Sequence, residues 1–235
     1  MLSATPHGPA RVLAAWDETP AMRGLRLVLP EPLAGAHQRP GQVVKLRTAQ
    51  GEGYFALASA PSPGGSVDLL VKRGGKVADA AVAAATPGAE IEVSAPFGNG
   101  FPVEEAVGRD VMLFAAGSGI APVRALVQHL VARRDRHGRI TLFYGQRRGA
   151  DFAYLGEHLD WERHGVRVVL CPSREDDAWR GVRGRVQEVA SSLGFGDAPP
   201  GDAVAFACGM TAMVEDVRAT LARAGIPPAR VHANF

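Results

Sequence analysis

Along the first hundred residues the apolar positions come in short runs, several of them alternating with polar ones: 11–16, 25–29, 43–47, 54–58, 67–71 and 91–93. Gly, Pro or Asn separates most of them, as at Arg39-Pro40-Gly41 and Pro61-Ser62-Pro63-Gly64-Gly65. Runs of this length and spacing predict the strands of a closed or nearly closed antiparallel barrel. One helix is predicted among them, over 77–85, where alanine is abundant and Pro87-Gly88 supplies a stop. After Gly108 the rhythm changes. Continuous apolar runs at 111–115, 140–144, 166–170 and 203–207 alternate with helical patterns at 123–132, 151–163, 186–193 and 211–224. Buried strands alternating with helices predict right-handed βαβ units and a parallel sheet. The expected fold is therefore two-domain: an antiparallel β-barrel over 1–104, then an α/β parallel-sheet domain over 105–235. No internal repeat is evident, and the alanine stretch 78–85 is too short to be low complexity.

Composition narrows the function classes. The chain has 235 residues, 46% hydrophobic and 21% charged, ordinary values for a globular protein. A net charge of +2, with acids and bases interspersed, gives no reason to expect nucleic acid or an anionic membrane as partner. The two cysteines, Cys171 and Cys208, are too few for an iron–sulfur cluster, for a zinc site by themselves, or for a secreted disulfide scaffold. The first residues lack a signal-peptide pattern and no stretch reaches membrane-span length. A cytoplasmic protein is expected.

The most informative segment is Leu113-Phe114-Ala115-Ala116-Gly117-Ser118-Gly119-Ile120-Ala121-Pro122, a buried strand entering a glycine turn that opens a helix. Glycines there permit positive φ and close approach of a ligand to the backbone. Pro122 suits a first helical turn, and the free amides at such a turn suit a diphosphate. A plain strand-to-helix turn would use the same residues, but its place at the carboxyl end of the first strand of a βαβ series favours a nucleotide. The usual third glycine and the acid after the next strand are both missing: Pro122 stands at one position, and Tyr144-Gly145-Gln146-Arg147-Arg148 ends the strand.

Taken in order along the chain, these motifs resemble the ferredoxin–NADP reductase superfamily, in particular its single-flavin reductases without an iron–sulfur domain. Pro40-Gly41-Gln42, the segment Tyr54-Phe55-Ala56-Leu57-Ala58-Ser59-Ala60-Pro61, Pro96-Phe97-Gly98, the glycine turn, Phe143-Tyr144-Gly145-Gln146-Arg147 and Cys208-Gly209-Met210 with Met213 carry the resemblance, which covers nearly the whole chain. It implies FAD on the barrel and NADP or NAD on the α/β domain, with hydride passing between nicotinamide and flavin at the seam and electrons leaving for a separate acceptor. Carried over residue by residue, FAD contacts fall on Tyr54, Phe55, Ala56, Leu57, Ser59, Val71, Lys72, Gly75, Lys76, Val77 and Ala78. The dinucleotide falls on Gly117, Ser118, Gly119, Pro122, Gly145, Arg147, Ser173, Arg174, Cys208, Gly209, Met210 and Met213. The reacting centre falls on Cys208, lining the nicotinamide pocket without acting as a nucleophile, and on Phe235, whose ring would cover the flavin face where nicotinamide stacks.

The pattern is broken in two places. The family's Arg-x-Tyr-Ser reads Gly53-Tyr54-Phe55-Ala56, so the arginine for the flavin diphosphate and the serine near flavin N5 are absent. The second phosphate turn, usually Gly-x-x-Ser/Thr, reads Gly75-Lys76-Val77-Ala78. Phe55 remains for stacking, and Lys72, Arg73 or Lys76 could neutralise a phosphate. A plant-type and bacterial subgroup also carries an Ala-Leu/Ile-Ala-Ser core without the arginine. Arg147, Arg148, Ser173 and Arg174 suit the 2′-phosphate of NADP, or are solvated surface. His129, His137, His158 and His164 read as surface histidines, and Glu175-Asp176-Asp177 as a solvated loop. Gly-x-Ser-x-Gly is absent, which argues against a serine hydrolase. The alternative function is a nucleotide-binding module or electron-transfer subunit with lost or weakened flavin binding. Members of the latter kind usually carry a C-terminal cysteine cluster, which this sequence does not show.

Overall fold

The computed structural model describes residues 6–174, 178–196 and 200–234. Six strands form the amino-terminal sheet: β1 (His7–Thr19), β2 (Met22–Val28), β3 (Val43–Thr48), β4 (Gly51–Ala56), β5 (Ser66–Lys72) and β6 (Glu90–Ser94). Their order is β4-β3-β6-β1-β2-β5, with antiparallel pairing throughout. β1 serves two neighbours because it bends, with register shifts at Val12/Ala14 and Asp17/Thr19. The two sheet edges then meet. Leu57 bridges Leu69, and the Ala58 N–H donates to the Asp68 carbonyl at 2.7 Å, so the sheet closes into the expected barrel.

The alternation in the strands explains the barrel interior. Val12, Leu25, Leu27, Val44, Leu46, Leu57, Leu69, Val71 and Val93 point inward and are buried. Two helices accompany them: α1 (Glu31–Ala34), which the sequence did not announce, and the expected α2 (Lys76–Ala84), which buries Ala81 on the barrel.

The second sheet has β7 (Val111–Ala116), β8 (Ile140–Gln146), β9 (Val166–Pro172), β10 (Val204–Cys208) and β11 (Val231–Ala233), all parallel, in the order β11-β10-β7-β8-β9. Its helices are α3 (Ile120–Val131), α4 (Leu155–Arg163), α5 (Val186–Ser192) and α6 (Thr211–Arg223). From β7 the chain builds outward through β8 and β9, then crosses back to place β10 and β11 on the other side. The switch point therefore lies between β7 and β10, and the crevice at their carboxyl ends is where such sheets bind ligands.

The two halves share one core. Met22, Ala58, Leu70 and Phe101 pack in the same apolar cluster as Leu113, Ile120, Val123, Leu126 and Tyr144. α3 is buried along most of its length for this reason, with its own sheet on one side and the barrel on the other.

Two histidines expected at the surface are buried instead: His137 and His158. His158 turns inward from α4 and packs against Trp161 and Tyr144, with ring centroids 4.9 and 6.3 Å away. Burial pushes its pKa down to about 4, as it does for His37 and, helped by Arg133, for His129. Each folded pKa lies below the unfolded value, so the unfolded chain takes up protons first. Stability is complete above about pH 6.5, the free imidazole value, and is lost as pH falls toward 4. His158→Leu is expected to make that acid loss shallower; melting temperatures at pH 7 and pH 5 check it, and an unchanged slope would contradict the assignment.

Candidate active site at the domain seam

The glycine turn, residues Gly117–Gly119, leaves β7 at the switch point and lies against β5 of the barrel. Gly117 has φ +59°, a left-handed conformation that favours glycine, and the space beyond its Cα is open. No side chain caps the start of α3. These features fit a diphosphate approaching the backbone. Pro122 is buried in the first helical turn.

Opposite the turn stand Cys208 and Gly209, at the end of β10. The approach is close: a Cβ on Gly119 would lie 2.2 Å from the Cys208 carbonyl oxygen, and one on Gly209 would lie 2.3 Å from Met213 Cε. Cys208 is half-buried, and desolvation pushes its thiol pKa up to about 12. It is a neutral thiol at physiological pH, which suits a pocket lining and not a nucleophile. Met213 is buried and Met210 is 74% exposed at the mouth of the crevice.

At the ends of β8 and β9, the Ser173 N–H donates to the Gln146 carbonyl at 2.9 Å and the Arg174 N–H to the Arg147 carbonyl at 3.0 Å. Arg147, Ser173 and Arg174 are thereby side by side and exposed, and neither guanidinium has an ion pair among the described residues. The Tyr144 hydroxyl accepts from Gln146 Nε2 at 2.7 Å and from the Ala153 N–H at 3.2 Å, which fixes the same strand end. Gly145, at the same strand end, also has a packing reason to be glycine. A Cβ there would lie 2.8 Å from Val186 Cγ1, so this glycine admits α5 against the sheet.

On the barrel, strand alternation divides the flavin motif between two faces. Leu57 is fully buried in the barrel core and Phe55 packs against the same cluster, while Tyr54 is 69% exposed. Tyr54 is therefore the more exposed of the two rings, while Phe55 is partly buried. The Tyr54 ring meets Phe97 edge-on at 6.1 Å and has Lys45 Nζ 5.2 Å from its centroid. Val71 is fully buried, with its side chain in the barrel core. The Ser59 hydroxyl already accepts the Asp68 N–H at 2.9 Å. Arg73 pairs with Asp17, which leaves Lys72 and Lys76 as the exposed cations at the start of α2.

The fit to a flavin nucleotide is mixed at one point and good at another. Beside Gly74 the space is open, Gly75 would meet only Ala78 Cβ at 3.8 Å, and no side chain caps α2, so the amides of Lys76, Val77 and Ala78 suit a phosphate. Asp79 does hold the Gly74 N–H, at 2.9 Å. Over Gly53, where the superfamily's arginine would begin, Val77 Cγ1 and the Phe55 ring stand 3.0 and 3.1 Å from an ideal Cβ. Apolar side chains occupy that route.

Sequence reading missed the polar cluster beneath the seam. Arg124 of α3 is 5% exposed; its Nη1 donates to the Ala58 carbonyl at 2.7 Å and to Asp68 Oδ2 at 3.1 Å, and its Nη2 to Glu157 Oε1 at 2.8 Å. Arg26 binds both oxygens of Asp68, at 2.7 and 3.0 Å. Glu18 Oε1 accepts the Tyr154 N–H at 2.5 Å. The signal was a charged residue inside an apolar run on each side, Arg124 in α3 and Asp68 in β5. Phe235 and the Glu175-Asp176-Asp177 triplet lie outside the described residues. Among the described residues no cluster of side chains could hold a metal ion, and no helix is long and apolar enough to cross a membrane.

Residues 113–219 match the model of the oxidoreductase NAD-binding domain. The chain is 32% identical to the gamma subunit of sulfhydrogenase 1 from Pyrococcus furiosus, over 84% of this chain and 68% of that protein. It is 30% identical to the reductase subunit of an aromatic O-demethylase from Amycolatopsis, over 95% of this chain and 67% of that one. A ferredoxin NADP+ reductase from Neisseria gonorrhoeae, solved with FAD and NADP bound, shares the fold at TM-score 0.83 and 18% identity, over 99% and 100% of the two chains. Against other curated relatives the chain spans less, 44% of one and 52% of another. The shared two-sheet architecture, the glycine turn at the switch point and these relatives together show that the chain belongs to the ferredoxin–NADP reductase superfamily.

Proposed function

We propose that the chain is an NAD(P)H-dependent flavoprotein oxidoreductase that passes electrons to a separate acceptor. The observation that supports it most is the open glycine turn at the switch point, set against the barrel strand next to the motif that bears Tyr54. FAD, when bound, supplies a ring that accepts a hydride from nicotinamide and releases the two electrons singly or together. The protein's own part is placement. The turn and the first amides of α3 receive the dinucleotide diphosphate, while Arg147, Ser173 and Arg174 suit a 2′-phosphate. Cys208, Gly209 and Met210 line the nicotinamide end without donating or taking a proton. Tyr54, Ala56, Lys72 and the α2 amides hold the flavin nucleotide. In this reading residues 1–104 serve the flavin and 105–235 the nicotinamide, and bringing both to one seam supplies the proximity on which hydride transfer depends. Phe235 is assigned the flavin face on the resemblance alone. Relatives named as subunits support an acceptor on another chain, and two cysteines that form no disulfide suit the cytoplasm.

Titration of the purified chain with FAD, followed by turnover of an artificial dye with NADPH and NADH, tests this reading. Saturable binding and dye reduction are expected; a chain that takes no FAD and reduces no dye would refute it. The apolar plug over Gly53 favours a second reading, a nucleotide-binding module with weakened flavin affinity. That reading predicts nicotinamide binding by calorimetry without dye turnover. Lys72→Ala with Lys76→Ala separates the phosphate contacts further. FAD affinity is expected to fall about tenfold, within the range for charge-assisted bonds, with a weaker salt dependence; unchanged affinity and salt slope would remove the two lysines from the site.

A further inference from the structure

α3 touches both halves of the seam with residues that share one helix face. Its first residue follows Gly119 of the turn, and Arg124 and Gln128 lie one and two steps of four residues further along. Arg124 Nη1 donates to the Ala58 carbonyl at 2.7 Å, and Gln128 Oε1 accepts the Ala60 N–H at 2.9 Å. Between these two points the Ala58 N–H and the Ser59 hydroxyl are tied to the Asp68 main chain at 2.7 and 2.9 Å. Residues 58–60 form a strap directly downstream of Tyr54, Ala56 and Leu57, with the Ala58 N–H and Ser59 hydroxyl bonded to β5 and the Ala58 carbonyl and Ala60 N–H to α3.

Domain adhesion alone would need only buried apolar area, and the shared core provides it. The contacts from Arg124 and Gln128 go instead to main-chain atoms of the strap, which fixes backbone position whatever the side chains are. The Arg124 guanidinium is in turn held from three sides, by Asp68, by Glu157 and by the Tyr154 ring 4.7 Å below it. A rigid helix with one end at the dinucleotide turn and its side bonded to the flavin strap has the form of a gauge.

We propose that Arg124 and Gln128 are positioning residues that hold strap 58–60 in register with the glycine turn, so that a dinucleotide at the turn steadies the strap. The inference rests on the functional reading above, but its first readout does not require flavin. In the FAD-free protein, NADP+ is expected to slow hydrogen exchange at the Ala60 amide at least tenfold; in Gln128→Leu, which removes the acceptor, that amide is expected to exchange faster and no longer respond. In the FAD-loaded protein, Gln128→Leu and Arg124→Lys keep the dissociation constant for NADP+ but lower the rate of flavin bleaching by saturating NADPH about tenfold, Arg124→Lys less than Arg124→Met.

The opposite results are equally readable. Gln128→Leu that retains the wild-type bleaching rate and isotope effect while Ala60 exchange accelerates would overturn the proposal and leave Gln128 structural. Wild-type protein that binds NADP+ without slowing Ala60 exchange would overturn it as well. If NADPH fails to bleach the wild type, the functional reading falls, and the exchange coupling between turn and strap still decides the inference by itself.

Discussion

A methyl group at position 119 is expected to lower nicotinamide-dinucleotide affinity by roughly 100-fold while leaving FAD affinity within a few-fold. Gly119 has φ −61°, so alanine is compatible with the backbone and the effect is purely steric. The new Cβ would lie 2.2 Å from the Cys208 oxygen, 2.6 Å from its carbonyl carbon and 2.9 Å from the Gly209 nitrogen. All three are main-chain atoms, and none can rotate away. The turn and the end of β10 must separate, at the crevice where the dinucleotide lies. Overpacking of this kind costs about 1–3 kcal/mol, which spans roughly 5- to 150-fold in a binding constant when the strain falls on the site. Gly35→Ala, on the barrel away from the seam, is the control: its Cβ meets nothing within 4 Å and its φ of −63° is ordinary for alanine. Calorimetric titration with NADP+ compares the two; wild-type affinity in Gly119→Ala would show that the turn does not bind the dinucleotide.

The second large effect is on stability. Arg124→Met leaves Asp68 and Glu157 facing each other across the seam without their common cation. Removing one partner from a buried ion pair costs about 3–5 kcal/mol. For a chain of this size each kcal/mol moves the melting temperature by about 2–4 °C, so a fall of about 10 °C is expected. Asp68 keeps Arg26, which places the loss at the lower end of that range. Adding Glu157→Gln should return part of it, because one orphaned charge is then neutral. Thermal denaturation followed by circular dichroism measures both, and a single-variant shift below about 3 °C would mean the network contributes little.

Much of the architecture was legible because it follows from periodicity. The barrel strands and the βαβ alternation are local patterns of two and 3.6 residues, and a strand ending in Gly-Ser-Gly before a helix announces the turn. What stayed hidden depends on partners far away in sequence. Arg124 and Asp68 are 56 residues apart, and no local pattern pairs them. The relative exposure of the two aromatic rings is legible from alternation: about the buried Leu57 it turns Phe55 toward the core and Tyr54 outward. The packing contact of Gly145 with α5 was not legible, because close packing of a helix and close approach of a phosphate both require the missing side chain. His158 read as surface because its helix is short and polar overall, and only the tertiary structure shows that its face meets the aromatic cluster.

The central claim is that a nicotinamide and a flavin meet at this seam. Anaerobic rapid mixing of the FAD-loaded chain with NADPH, protiated or deuterated at C4, tests it most directly. Loss of flavin absorbance in one phase, slower with the deuterated cofactor, is the expected result. Flavin that binds and stays oxidised in the presence of both NADPH and NADH would contradict the account.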